Sequence, residues 1–121
     1  NDDPYVLAEL YSTLSYIGCP PYYLFQGRPT SGNEPYEVPI VEGWHIFQRA
    51  LRQGSGLARR ARFCMSHETG KIEILGIDSD RIYLRYHQAK DLDDLGRFFV
   101  RRRDDQAYWL DQLQPLESAV Y

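Results

Sequence analysis

Positive charge, cysteine, lysine and long apolar runs are all scarce in this chain, and each scarcity removes a class of function. Acidic residues outnumber basic ones 17 to 14 over 121 residues, for a formal net charge of −3. A chain with no positive excess lays down no electrostatic footprint for nucleic acid. Two cysteines, Cys19 and Cys64, are too few for a disulfide scaffold, a structural zinc site or an iron–sulfur cluster. Free, mostly buried thiols are the expected state. No apolar run approaches the ~20 residues that cross a bilayer, and Asn1-Asp2-Asp3-Pro4 has neither the basic nor the apolar part of a secretory leader. The expectation is a soluble, cytoplasmic chain with no membrane and no nucleic-acid partner. Lysine is rarer than the charge suggests: twelve of the fourteen basic residues are arginine. Only Lys71 and Lys90 can supply an amine nucleophile.

What is present suits one compact domain. Hydrophobic residues make up 43%, enough at this length to bury roughly two-thirds of the unfolded surface. Asp3 is an N-cap with Pro4 in the first helical position, and Val6, Leu7, Leu10, Tyr11 and Leu14 recur at helical spacing, so a helix is expected over 4–15, closed by Gly18. The opening reads as turn and cap with no methionine, as though cut from something longer. Tyr22 to Gln26 predicts a short buried strand. The turn formers from Gly27 to Pro35 predict a loop at its C-terminal end, where α/β folds place ligand sites. A second helix fits 40–53, with Ile40, Trp44, Phe47 and Leu51 as its core stripe, His45 partly buried beside it, and Gly54-Ser55-Gly56 ending it. Extended segments are then expected at Ala61–Met65, Lys71–Ile77, Arg81–Tyr86 and Gly96–Val100, with polar turns at 66–70 and 78–80. Glu73 faces Arg85 across the central hairpin as a surface pair. Arg101-Arg102-Arg103 before Asp104-Asp105 reads as a solvated turn, and Asp104 to Leu113 as a closing helix anchored by Tyr108, Trp109 and Leu113.

Chemistry concentrates at three places. Lys71 follows Gly70 at a strand entrance, where a glycine lets a ligand approach and a rigid element holds the amine for Schiff-base formation. Arg28, in Gly27-Arg28-Pro29-Thr30, presents a planar fork for a carboxylate or phosphate. His67 and Glu68 lie close enough in sequence to tune the proton of Lys71, and are equally ordinary turn residues. No metal-ligand spacing, catalytic triad or phosphate-binding glycine loop is visible.

These same residues carry a family resemblance. Tyr22-Tyr23-Leu24-Phe25-Gln26 followed by Gly32, then Val38-Pro39, Gly43, Ser55-Gly56 and Gly70-Lys71-Ile72, resembles in order the C-terminal part of the lysine 2,3-aminomutase family. Those are radical S-adenosylmethionine enzymes that also use pyridoxal phosphate. The resemblance implies an α/β fold (α+β for the chain alone). Residues 1–56 would be the last β/α unit of a partial TIM-type barrel. Residues 57–121 would be a β-hairpin extension with a closing helix, carrying the cofactor lysine.

It also implies an isomerase reaction, a 1,2-amino-group shift on an amino acid. S-adenosylmethionine on a 4Fe-4S cluster generates the radical, and pyridoxal phosphate carries the amino group as an aldimine. Lys71 matches the lysine that holds that cofactor, with Gly70 beside it. The cluster cysteines and the arginines that clamp substrate and cofactor lie upstream in the family, so this chain alone would be inactive. Members acting on lysine set acidic side chains at the positions matched here by Arg28 and Cys64, and neither is acidic. An acidic or neutral amino-acid substrate is therefore expected in preference to lysine. Only Thr69-Gly70 stands where the family has a longer glycine run, and the cysteines that bind zinc between subunits in some members are missing. The alternative is a non-catalytic oligomerisation or partner-binding module from the same lineage. On either view a fragment of one barrel unit leaves apolar surface bare, so a homo-oligomer is expected.

Overall fold

The computed structural model describes residues 2–32, 34–54, 56 and 58–116. Asn1, Asn33 and Ser55, which the sequence places in turns, lie outside the described residues. Asp3 caps helix α1 (Pro4–Tyr16) by accepting from the Tyr5 amide at 2.9 Å, and Gly18, at φ +82°, closes it in the left-handed region that favours glycine. Strand β1 (Tyr23–Gln26) leads through the predicted loop to helix α2 (Ile40–Arg52), and α2 returns the chain to β2 (Arg62–His67), parallel to β1. From there the chain meanders antiparallel through β3 (Gly70–Ile77), β4 (Arg81–Ala89) and β5 (Phe98–Arg102), giving one five-stranded sheet in the order β1-β2-β3-β4-β5. One β-α-β unit followed by a hairpin meander is the mixed α/β, or α+β, architecture expected of the chain.

Alternation along the strands splits the sheet into two faces. Phe63, Met65, Ile72, Ile74, Ile82, Leu84, Tyr86 and Phe99 point to one face, where they form a single buried cluster with Leu7, Ala8 and Tyr11 of α1 and Ile40, Val41, Phe47 and Ala50 of α2. Among the described residues, that leaves no α-helix on the second face. α1 is apolar on both sides: Val6, Leu10 and Tyr16 remain exposed, as does Ile17 just beyond it, so not every residue at the helical spacing read from the sequence is buried. His45 is likewise exposed rather than partly buried.

Three sequence expectations need correction in the second half. There is no closing helix over 104–113, only a 3-10 turn at Leu110–Gln112. Of the expected anchors Trp109 and Leu113 are buried and Tyr108 is only partly so, and the backbone there bonds outward: Ala107 O accepts from Ile40 N at 2.9 Å, and Tyr108 O accepts from the Gln26 side chain at 3.0 Å. Arg101 and Arg102 belong to β5, whose outer edge is covered by the C-terminal segment through Arg102 N to Gln114 O at 2.8 Å. Only Arg103 serves the turn, bonding Asp105 at 2.7 Å and Asp78 O at 2.9 Å. The 66–70 turn is shorter than expected, because Ser66 and His67 extend β2 and leave only Glu68 and Thr69 between the strands.

Candidate functional site

The uncovered face of the sheet gathers the reactive side chains. Cross-strand partners share a face, so the register Phe25↔Cys64↔Glu73↔Arg85, with Tyr23↔Arg62 and Ser66↔Lys71 on either side, lays these residues on it together. Lys71 opens β3, and its Nζ sits 4.2 Å from the Tyr23 ring centroid and 5.7 Å from that of Phe25. An ammonium over aromatic faces is held by their quadrupoles. Lys71 makes no ion pair among the described residues, so its half-buried amine is not committed to a carboxylate.

Gly70 is glycine for a reason other than ligand access. Its φ is +146°, and a Cβ there would lie 2.3 Å from Gln88 O and 2.7 Å from Ala89 Cα. The space beside Gly70 belongs to the backbone of β4. Opposite Lys71 the register slips: Lys71 pairs with Gln88 but Ile72 pairs with Tyr86, which makes His87 the extra residue of a β-bulge. Bulges re-aim side chains. Here His87 Nε2 lies 2.9 Å from the Tyr23 hydroxyl, so a Tyr–His pair flanks the lysine. Sequence reasoning missed both partners. They are 64 residues apart, and only the aromatic density of 22–25 hinted at one of them.

Cys64 is fully buried. Burial pushes its thiol up to about 12, assisted by Glu73 and opposed by Lys71, Arg62 and Arg85. The Glu73–Arg85 pair exists at 2.9 Å, and the same carboxylate oxygen also accepts from Arg62 at 3.0 Å.

Arg28 reaches the far side of Ser66, the cross-strand partner of Lys71, donating to Ser66 O at 3.1 Å and lying 3.2 Å from Ser66 Oγ. The two sequence candidates thus flank one residue at the C-terminal ends of the parallel pair β1 and β2, the end at which α/β sheets bind ligands. A depression of about 380 Å³ opens there, lined by Arg28, Ser66, His67, Glu68, Trp109 and Asp111. His67 does not attend Lys71, because adjacent strand residues point to opposite faces. Its Nε2 meets Asp111 at 2.7 Å, while Nδ1 meets the Thr69 hydroxyl at 2.8 Å and accepts from the Thr69 amide at 3.2 Å. The Thr69 hydroxyl continues to Tyr86 at 2.9 Å. His67, Glu68 and Asp111 have donor atoms within 4.8 Å of one another, but both imidazole nitrogens are already taken. His67 and Asp111 tie the β2–β3 turn to the C-terminal segment.

No helix among the described residues is long and apolar enough to cross a membrane. No family model matches the chain, and no solved structure matches it. Over 116 residues, 96% of its length, it is 48% identical to a protein of Aquifex aeolicus (strain VF5) named "Putative L-lysine 2,3-aminomutase". The chain spans about a third of that relative, 31% of its length.

Proposed function

We propose that this chain is the C-terminal part of a radical S-adenosylmethionine amino-acid 2,3-aminomutase-like enzyme, an isomerase, and that Lys71 is the amine that holds its pyridoxal phosphate. The observation that carries the reading is the placement of Lys71 on an open sheet face, accessible and without a carboxylate partner among the described residues, in a chain 48% identical to a protein bearing an aminomutase name. An amine that must condense with an aldehyde cannot be locked in an ion pair, so the residues present fit the group. When bound, pyridoxal phosphate supplies the conjugated system that carries a migrating amino group. The chain's own part is to bind and orient. Tyr23 and Phe25 wall the amine, the His87–Tyr23 hydrogen bond fixes that wall, and Arg28 presents its guanidinium toward a carboxylate beyond Ser66. With two cysteines the chain cannot ligate a 4Fe-4S cluster, so cluster and S-adenosylmethionine would be held by the remainder of the longer protein.

Arg28 and the buried, neutral Cys64 favour an acidic or neutral amino acid over lysine, which departs from the substrate in the relative's name. Turnover of lysine above glutamate by the full-length enzyme would contradict that part. A cytoplasmic setting goes with the same reading. One test is the native reading frame. A long frame upstream of Asn1 encoding a C-x-x-x-C-x-x-C motif is expected, and a start codon near Asn1 with a native mass near 14 kDa would end the enzyme reading.

A second reading has its own support. The C-terminal segment pairs with the end of β5 at Arg101 and Arg102, whereas no described strand pairs with the outer edge of β1, and Val6, Leu10, Tyr16 and Ile17 in and just after α1 are exposed. An open edge beside apolar surface suits a non-catalytic oligomerisation or partner-binding module. The two readings part on Lys71: a module has no use for its amine.

A further inference from the structure

Glu73 anchors a cationic set that it cannot neutralise. Its Oε1 alone accepts from Arg62 Nη1 at 3.0 Å and from Arg85 Nη2 at 2.9 Å. The carboxylate is covered, with 13% of its side chain exposed, while the two arginine side chains stay 46% and 39% exposed. Each guanidinium has five N–H donors in a rigid fork, so most donors of both forks remain available after sharing that oxygen. Lys71, two residues before Glu73 on the same strand face, adds a further charge that makes no ion pair among the described residues. The patch therefore carries a local excess of positive charge in a chain whose overall charge is −3. The four groups are neighbours, since all of them act on the Cys64 thiol at the centre of the face.

We propose that Arg62 and Arg85, drawn together by Glu73, form an oxyanion subsite beside Lys71 that takes the phosphate or carboxylate of the ligand held there. Two like charges converging on one oxygen leave a residual field that an anion satisfies, and forks fixed by a shared carboxylate lose little freedom on binding one. Residues two apart on a strand lie ~6.7 Å apart, so a group above Glu73 sits about 7 Å from the Lys71 backbone position. The link to Lys71 rests on the reading of Lys71 proposed above; the anion subsite itself does not.

The test is an NMR titration of the isotope-labelled full chain with inorganic phosphate and, separately, with glutarate, following the arginine Nε–H signals. The expected result is saturable shifts at Arg62 and Arg85 but not at Arg49 on the exposed side of α2. Each of Arg62→Gln and Arg85→Gln should weaken the apparent affinity by about fivefold or more, roughly 1 kcal/mol. Having both variants guards against one that misfolds, and a dispersed spectrum shows that each is folded. Saturation by phosphate alone assigns the subsite to a phosphate, and saturation by both ligands extends it to carboxylates. No saturable shift with either ligand, or affinities unchanged in both variants, overturns the subsite. Borohydride trapping of pyridoxal phosphate separates the two ideas. Saturation without label on Lys71 keeps the subsite and removes the lysine reading, and label without saturation does the reverse.

Discussion

Cys64 and Cys19 have the same side chain and opposite environments. Cys19 is exposed, whereas Cys64 is fully buried and its thiol is held neutral by burial to about 12. Only a thiolate attacks a disulfide reagent. A native-state thiol titration should therefore show one fast equivalent, lost in Cys19→Ser, with the second appearing only on unfolding; two fast equivalents would mean that the sheet face around Cys64 opens. Tyr11 is a second residue governed by burial. Among the described residues its hydroxyl has no hydrogen-bond partner, and desolvation raises its pKa to about 12. A phenol that stays neutral when folded contributes stability that is complete below its ordinary value of 10 and is lost as pH climbs from there toward 12. Tyr11→Phe should remove part of that alkaline loss. It should also gain about 1 kcal/mol at neutral pH, since a buried hydroxyl without a partner is a net cost. Thermal melts across pH measure both effects.

At the scale of the element, the β2–β3–β4 ribbon depends on Gly70. Any Cβ at that position strikes the β4 backbone, and φ +146° is strained for an L side chain. Gly70→Ala should destabilise the chain by about 3 kcal/mol or break the pairing, which chemical denaturation would read directly. The ribbon also marks where sequence is informative. Ile72 and Ile74 alternate with Lys71 and Glu73, so β3 and its faces were legible from a period of two. Ile40, Trp44, Phe47 and Leu51 likewise disclosed α2 by a period of 3.6. The 104–113 segment failed because Ala107, Trp109, Leu110 and Leu113 are apolar at near-helical spacing and equally serve a plug on the sheet. Its amides and carbonyls find partners in Ile40, Gln26 and the Met65 sulfur, and those contacts outweigh local propensity. The bulge at His87 left no trace either, because an extra residue shows only against its partner strand.

At the scale of the whole molecule, the sequence singled out Lys71 and Arg28 as candidates, the first by its rarity and by a family resemblance at Gly70-Lys71-Ile72. Their arrangement was not legible, because Tyr23, Ser66 and His87 reach the lysine only through strand register. The β1 edge, unpartnered among the described residues, and the exposed apolar residues of α1 lead us to expect the isolated chain to self-associate. Sedimentation should show a dimer or larger species, and a clean monomer at high concentration would count against it. The central claim concerns one amine. The full-length parent should be incubated with pyridoxal phosphate, reduced with borohydride, digested and mapped by mass spectrometry. The predicted label falls on the peptide containing Lys71 and disappears in Lys71→Arg, whereas label on Lys90 alone, or on no lysine of this segment, would contradict the account.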